Sequence, residues 1–323
     1  MSPMRRCFSI ALLSIATVFS SATAHAFPDR PVRIIVPFLA GGTVDATARI
    51  LAQKLSEQTN QQFIVENRGG AGGNIGAEAV AKSEPDGYTL LHTAPTLVVN
   101  QFLYDNMPYD TDKDFAPIGV FAVTPVVLMV NKDVPVKNVE ELIAYAKTNP
   151  GKVSFGSAGV GTIPHLAGEL FKSMAKVDIV HVPYKGTSAA MNDLVGGHIH
   201  MMFDLLPSSL PQINSSRVRA IGNAGMKRPD VLADLPTISE QGLKGYDAAS
   251  WVAVVAPIKT PAPVLAKLRG EMGNALKSSD IVKRLSDLGS VPGTADEAEM
   301  RQFLKTETDK WSKVIKDSGA KPK

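Results

Sequence analysis

The 323-residue chain contains a single cysteine, Cys7, and no large excess of charge of either sign. A disulfide needs two cysteines, and cysteine-based metal sites need several at fixed spacing. The 34 basic residues are nearly balanced by 31 acidic ones, and the formal net charge is +3. Disulfides and cysteine metal sites are therefore excluded, as is the basic surface that nucleic-acid binding requires. We expect no cofactor.

Long apolar runs are also missing. Arg5 and Arg6 precede an apolar run at residues 8–19, and small residues follow at 20–26; this order is typical of a secretory signal peptide. The run is shorter than the roughly 20 residues that span a bilayer, and no later run is long enough. The Ala24-x-Ala26 pattern predicts cleavage after Ala26, which would remove Cys7 and lower the net charge from +3 to +1. We expect a periplasmic protein.

Short β-rich runs alternate with amphipathic helix patterns in the remaining chain, which is typical of doubly wound α/β sheets. A strand is predicted at 32–38, a glycine turn at 41–43, and a helix whose apolar residues recur at spacings of three and four. A second unit has a strand at 63–66, a glycine-rich loop at 67–76 and a helix at 77–82. A third strand is predicted at 88–92.

Two apolar segments, 118–130 and 251–257, are predicted to cross between two lobes. Only helices are expected after the second crossing. The crossings predict a two-stranded hinge, a signal peptide at 1–26, a discontinuous first lobe at 27–124 plus 252–323, and a second lobe at 125–251.

Four loops follow strands and open helices, at residues 41–45, 69–76, 157–162 and 185–188. Amides of a first helical turn lack intrahelical acceptors and lie at the positive end of the helix dipole, so they bind anions without lysine or arginine. In open α/β sheets such loops lie at the carboxyl ends of the strands, where ligands bind. These loops therefore predict a site for a small anion.

A dinucleotide site fits the glycine-rich loop poorly. The run Gly70-x-Gly72-x-x-x-Gly76 resembles the fingerprint, but Ile75 occupies the usual position of the third glycine. No acidic residue closes a following strand at the expected distance of about 20 residues.

A secreted hydrolase would use Ser157 as nucleophile with His165 and Asp204 as partners. Ser157 lacks the flanking glycines of a nucleophile elbow, so a hydrogen-bonding role is the favoured interpretation. No carboxylate at metal-ligand spacing accompanies the histidines. Core or solvated positions are therefore expected for His165, His181, His198 and His200.

Several segments together resemble one family. They include FPDRP at 27–31, PFLAGGTVD at 37–45, ENRGGAGGNIG at 66–76, PDGYTL at 85–90, HLAGEL at 165–170 and HVPYKG at 181–186. In these segments, which span the mature chain, the sequence resembles the Bug family of solute receptors of tripartite tricarboxylate transporters.

The resemblance implies an α/β protein with two Rossmann-like lobes joined by a two-stranded hinge, a periplasmic binding protein of type II-like fold. Such a receptor is not an enzyme: as a monomer it closes like a Venus flytrap on a small carboxylated solute and delivers it to membrane permease subunits. The ligand contacts it implies are Phe38, Gly41, Gly42, Thr43, Asp45, Thr93, Ser157, Ala158, Thr162, His165, Tyr184, Gly186 and Asp204.

The identity of the acid stays open, because residues 92–95 and 204–207 lie where members of the family vary with their ligands. A dicarboxylate, a tricarboxylate and an aromatic acid all remain candidates. A receptor that reports its ligand to a sensor kinase would have the same pocket. A transcription-factor effector lobe has a similar fold, but it would need a DNA-binding domain and no signal peptide.

Overall fold

The structure, a computed structural model, describes residues 27–184 and 186–320. The predicted signal peptide and its cleavage site lie outside these residues, as does Lys185 of the fourth predicted loop. Within the described residues, no helix combines the length and the apolar character that crossing a bilayer would require.

Strands and helices alternate along the first part of the described chain. They are β1 (Val32–Val36), α1 (Thr43–Thr59), β2 (Phe63–Asn67), α2 (Asn74–Ala81), β3 (Thr89–Thr93), α3 (Thr96–Leu103), the short α4 (Thr111–Asp114) and β4 (Phe115–Thr124).

The middle of the chain repeats this alternation. Its elements are β5 (Val126–Asn131), α5 (Val139–Thr148), β6 (Val153–Ser157), α6 (Ile163–Ala175), β7 (Ile179–Pro183), α7 (Thr187–Gly196), β8 (Met201–Leu205), α8 (Leu206–Asn214) and β9 (Val218–Asn223).

The last part returns to the first sheet. It contains β10 (Ser250–Pro257), α9 (Ala262–Lys277), α10 (Ser279–Asp287), β11 (Val291–Thr294) and α11 (Glu297–Ser318), while short 3-10 turns lie at Ala71–Gly73 and Asp230–Leu232.

Two sheets define two lobes. The first has the strand order β11-β4-β10-β3-β1-β2, and the second has the order β7-β6-β8-β5-β9. β1 pairs in parallel with β2 and β3, and β6 pairs in parallel with β7 and β8. Each lobe therefore brings the carboxyl ends of three neighbouring parallel strands to one edge.

The hinge is short. Pro125 alone separates β4 of the first sheet from β5 of the second, and β10 brings the chain back to the first sheet. Proline has no N–H to donate to a strand ladder, so it suits the point where the chain leaves one sheet for another. The predicted two-lobed fold with a two-stranded hinge is confirmed. The residue boundaries predicted for the lobes stay a prediction.

The central strands of the first sheet are apolar on both sides, so helices cover both of its faces. Ile34 and Val36 of β1 pack in a cluster with side chains of α1 and α9. Ile35 points the other way, into a cluster with side chains of α2, α3 and α11. This second cluster continues into the second lobe through Leu166 of α6, and α11 contacts both α3 and α6.

One strand corrects the sequence prediction. Only helices were expected after β10, yet β11 pairs antiparallel with β4 at the edge of the first sheet. A Cβ at Gly293 would lie 2.2 Å from the Val120 carbonyl oxygen, so glycine allows this close approach. The letters Val-Pro-Gly-Thr suggest a turn, and the pairing depends on a contact that local sequence does not reveal.

The second helix also begins earlier than predicted, at Asn74 instead of Ala77. Three preceding glycines, Gly70, Gly72 and Gly73, have positive φ and turn the chain. Asn74 is buried, and its Oδ1 accepts hydrogen bonds from Asn100 Nδ2 at 2.7 Å and from the Tyr109 hydroxyl at 3.1 Å. These bonds fix the start of α2 beneath the glycine-rich loop.

Candidate functional site

The predicted contacts lie at the carboxyl edges of the two sheets. In the first lobe they follow β1 and end β3; in the second lobe they end or follow β6, β7 and β8. This is the edge at which ligands bind in open α/β sheets. The two lobes approach each other closely near these loops, since a Cβ at Gly161 would lie 2.5 Å from Leu103 Cδ1 of α3.

The thirteen predicted contacts divide into accessible and buried sets. At least partly accessible are Phe38, Gly41, Gly42, Thr43, Ala158, Thr162, Tyr184 and Gly186. Five are almost fully buried, with exposed fractions of 0 to 4%: Asp45, Thr93, Ser157, His165 and Asp204. All of the buried set except Thr93 hold the loops from below through hydrogen bonds.

Asp45 fixes the first loop. Its Oδ2 accepts from the Gly41 amide at 2.9 Å, and its Oδ1 accepts from Asn67 Nδ2 at 3.0 Å. Arg49 contacts both carboxylate oxygens. Burial alone would raise the pKa of Asp45, but the bonds from Arg49, Gly41 and Asn67 lower it below its ordinary value. The carboxylate stays ionised and is used entirely within the protein.

The helices α1 and α7, one in each lobe, begin with an open amino-terminal turn. Their N-caps are Gly42 and Gly186, and neither helix has a side-chain cap. A Cβ at either glycine would meet no atom within 4 Å, so the space before both helices is free. By contrast, a Cβ on Gly73, the N-cap of α2, would touch Thr96 and Phe38. Neither first turn is capped by a side chain of the described residues, and each lobe has a helix start whose amides lack intrahelical acceptors.

The loop at 157–162 is less open than predicted. The Gly159 amide donates to Ser157 Oγ at 3.2 Å, and the Gly161 amide donates to His165 Nδ1 at 3.1 Å. Thr162 Oγ1 donates to the Gly159 carbonyl at 2.7 Å and also caps α6. Two amides that could have bound an anion are therefore bonded within the protein.

A stack of three rings lies beneath this loop. The His181 ring lies 4.0 Å from the His165 ring and 4.8 Å from the Phe155 ring, at interplanar angles of 28° and 29°. Burial lowers the pKa of His165 to about 3, with a further contribution from His181. Burial and the charge of Lys172 lower the pKa of His181 to about 4. Both imidazoles are neutral at pH 7.

Asp204 fixes the start of α7. Its carboxylate accepts from the hydroxyls of Thr187, Ser208 and Ser209 at 3.2, 2.6 and 3.3 Å. Burial raises the pKa of Asp204, and the hydroxyl donors oppose this only in part. Thr187 is the first residue of α7, so the buried acid holds the helix start in place.

Tyr184 is accessible, but its hydroxyl is already used. It donates to Asp193 Oδ2 at 2.6 Å, and burial together with this carboxylate raises the pKa of Tyr184 to about 12. The Tyr184 amide donates to the Ser157 carbonyl at 3.1 Å. Its hydroxyl is thus directed at α7.

The arrangement does not form a hydrolase triad. Ser157 Oγ shares a hydrogen bond of 2.7 Å with Nε2 of His181, a residue that the triad hypothesis left out. Asp204 bonds to hydroxyls and not to His165. Within the described residues no group of three or more histidine, cysteine, aspartate or glutamate side chains is arranged to hold a metal ion.

Sequence reasoning missed two polar residues of these loops. Asn67 Nδ2 donates to the Phe38 carbonyl at 3.1 Å as well as to Asp45, and His181 reaches Ser157. Asn67 is the last residue of β2, which pairs with β1. His181 lies two residues before the end of β7, which pairs with β6. For Asn67, the position directly after the strand predicted at 63–66 was the available signal.

A separate cavity of about 440 Å³ lies at the hinge, lined in part by Val123, Pro125, Trp251 and Phe303. It contains none of the predicted contacts. Two charged side chains in its lining are already paired, since Glu307 accepts from two indole N–H groups and Arg228 pairs with Glu240. The open amides are instead at the loops.

These features are those of a two-lobed binding protein with open loops at the carboxyl edges of both sheets. A family model for the tripartite tricarboxylate transporter family receptor matches residues 47–320. BugT of Bordetella pertussis is 34% identical over 324 residues and covers 99% of both chains. The chain therefore belongs to this receptor family, and the resemblance to Bug proteins is confirmed.

Solved structures support the same family assignment. Rpa4515 of R. palustris, determined with adipate, is 39% identical with a TM-score of 0.80, covering 91% of this chain and 99% of its own. MatC of Rhodopseudomonas palustris, with bound malate, is 32% identical with a TM-score of 0.76, covering 90% and 100%. The family consists of periplasmic solute-binding receptors, so the chain is a binding protein and not an enzyme, as predicted.

Proposed function

We propose that this receptor captures a small carboxylate, with dicarboxylates as the first candidates, and delivers it to the membrane permease subunits of a tripartite transporter. The observation that carries the proposal is the pair of open, glycine-capped helix starts, one in each lobe. Adipate and malate, which two related structures contain, each have two carboxylates. One carboxylate could then be held at each helix start.

Neutral donors are sufficient for this binding. A helix start stabilises an anion by about 0.3 to 2 kcal/mol through its dipole, and each hydrogen bond to a charged group adds about 1.5 to 3 kcal/mol. The nearby Arg49 is already paired with Asp45. A few such bonds on each carboxylate would reach micromolar affinity, which corresponds to about −8 kcal/mol.

Closure follows from dividing the site between the lobes. Each lobe carries half of the donors, so a dicarboxylate gains its full set of bonds only when the hinge brings the two helix starts together. Binding then shifts an equilibrium between open and closed states by the free energy of the added contacts. No chemical step is involved.

The test is calorimetric titration of the purified protein with adipate, malate, citrate and benzoate. We expect binding of at least one dicarboxylate, and no binding of adipamide, which has the same carbon chain without charge. Equal binding of adipamide, or no binding of any acid, would contradict the proposal.

A matched pair of variants locates the site. Gly42 has φ −85°, which other residues adopt freely, and open space in front of it. Gly42→Leu should fold normally but cover the first turn of α1 and weaken dicarboxylate binding at least about tenfold, roughly 1.4 kcal/mol. Gly270→Leu, at an exposed position of α9 with equally free space, should bind as the wild type does. Unchanged affinity in Gly42→Leu would remove α1 from the site.

A further inference from the structure

His181 lies below the second-lobe loop, and among the described residues its hydrogen bond to that loop is made with Ser157. Its Nε2 and Ser157 Oγ are 2.7 Å apart, a distance typical of a strong hydrogen bond. Ser157 is fully buried, so its hydroxyl does not face the space between the lobes. Its Oγ instead accepts from the Gly159 amide.

The ring stack determines where His181 points. Its imidazole is held between Phe155 and His165, so the ring cannot rotate away from Ser157 without disrupting both stacking contacts. His165 in turn accepts from the Gly161 amide through Nδ1. Two stacked imidazoles therefore anchor the same loop, one directly at Gly161 and the other through a hydroxyl at Gly159.

The anchored loop keeps some amides available. Among the described residues, the Ala158 and Val160 amides have no hydrogen-bond acceptor in the protein. Gly159 and Gly161 both have positive φ, at 129° and 81°, so this loop conformation depends on glycine and on its anchors. A change in the Gly159 anchor would reorient both free amides.

We propose that His181 is a positioning residue of the solute site, which fixes the 157–162 loop through the hydroxyl of Ser157. This inference rests on the proposed function, and it adds the Ala158 and Val160 amides of this loop to the donors for the solute. His181 Nε2, at 2.7 Å, is a closer partner of the buried hydroxyl than the Gly159 carbonyl at 3.2 Å, and it keeps Oγ in place to accept the Gly159 N–H. His181 does not touch the solute.

The experiment compares His181→Phe with His181→Gln. Phenylalanine keeps a ring in the stack but loses the nitrogen that bonds Ser157, whereas glutamine retains a polar group that can reach the hydroxyl. We expect His181→Phe to weaken adipate and malate binding about tenfold and to speed hydrogen exchange of the Gly159 amide about tenfold. His181→Gln should recover most of both losses.

A second serine–histidine pair supplies the control. Ser154 Oγ and His200 Nδ1 are 3.0 Å apart, and Ser154 lies on the same strand, β6, but away from its carboxyl end. His200→Phe should change neither affinity nor Gly159 exchange. In a Ser157→Ala background, His181→Phe should have no further effect, because the bond that it removes is already absent.

Three results would overturn the inference. They are equal losses in His181→Phe and His181→Gln, additive losses with Ser157→Ala, and unchanged Gly159 exchange in His181→Phe. If the wild type binds none of the acids, the proposed function fails, while the exchange rates of the ligand-free variants still decide whether His181 anchors the loop.

Discussion

Burial holds three histidines neutral. The pKa of His92, which is fully buried, falls to about 3, and those of His165 and His181 fall to about 3 and about 4. His92 Nε2 bonds to Thr47 Oγ1 at 3.1 Å, while its Nδ1 has no partner. A proton on any of these rings would be stabilised by water in the unfolded chain but not in the folded protein.

The stability should therefore decrease in mild acid. Unfolded histidine titrates near pH 6.5, so below about pH 6.5 the unfolded state binds protons that the folded state does not. His92 and His165 each lower the free energy of unfolding by about 1.4 kcal/mol per pH unit until the folded pKa is reached. His181 is only partly buried, so solvent screening makes its contribution smaller. The stabilising contribution of each buried neutral histidine is fully present above about pH 6.5. The raised pKa of Asp204 has the opposite effect on stability, because the folded state then binds a proton that the unfolded state releases.

Urea unfolding of His92→Gln between pH 4 and pH 7 isolates this effect. In this variant, the slope of the free energy of unfolding against pH should be smaller by about 1.4 kcal/mol per pH unit. His198→Gln, at an exposed position, should keep the wild-type slope. Identical slopes in all three proteins would show that His92 is protonated in the folded state.

At the residue scale, the sequence predicted the glycine N-caps of the site better than its polar side chains. Gly41, Gly42 and Gly186 follow strands and start helices, and local spacing reveals this. The burial of Ser157 and Asp45 depends on partners such as His181 and Asn67 that are distant in sequence, so no local pattern could indicate it.

Among the helices, α11 links the hinge to both lobes. Trp251 of β10 and Trp311 of α11 both donate their indole N–H to Glu307 Oε2, at 2.8 and 2.9 Å. Lys310 pairs with the other carboxylate oxygen. The Glu307 side chain is only 5% exposed, so its charge depends on these three donors in place of water.

Glu307→Gln should destabilise the protein by about 2 to 4 kcal/mol, because a neutral amide leaves Lys310 without its buried partner and directs an N–H at another donor. Asp309→Asn, on the same helix, removes the exposed pair of Lys305 and Asp309 and should cost less than about 1 kcal/mol. Chemical unfolding measures both. Equal costs would show that Glu307 is solvated.

The elements themselves were largely predictable. β1, β2, β3 and α1 follow from apolar runs and helical spacing. β11 was missed because Gly293 packs against β4 through a contact distant in sequence. The early start of α2 was missed because it depends on Asn100 and Tyr109, which bind Asn74 from outside the helix.

The contact of Gly161 with Leu103 offers a test of closure in the whole molecule. Gly161→Ala would place a methyl group 2.5 Å from Leu103 Cδ1 and would strain a φ of 81°. We expect small-angle scattering to show that the adipate-loaded variant stays more extended than the loaded wild type, because the added methyl must displace the Leu103 side chain before the lobes can meet.

Leu103→Ala combined with Gly161→Ala should restore compaction, since it removes the obstructing side chain, while Leu103→Ala alone should compact normally. Full compaction of the Gly161→Ala single variant would mean that this contact does not limit closure.

The position of β10 affects when the protein can fold. β10 lies between β3 and β4 in the first sheet, yet it is synthesised only after the whole second lobe. Until it arrives, β3 and β4 cannot take their final places, and Glu307 must follow before Trp251 obtains its partner. Pairing between strands so distant in sequence is intrinsically slow. The first sheet therefore cannot be completed before residues 250–257 have been made, whereas all five strands of the second sheet are present by residue 223. The second lobe can form its sheet while the first lobe still lacks the strand at its centre.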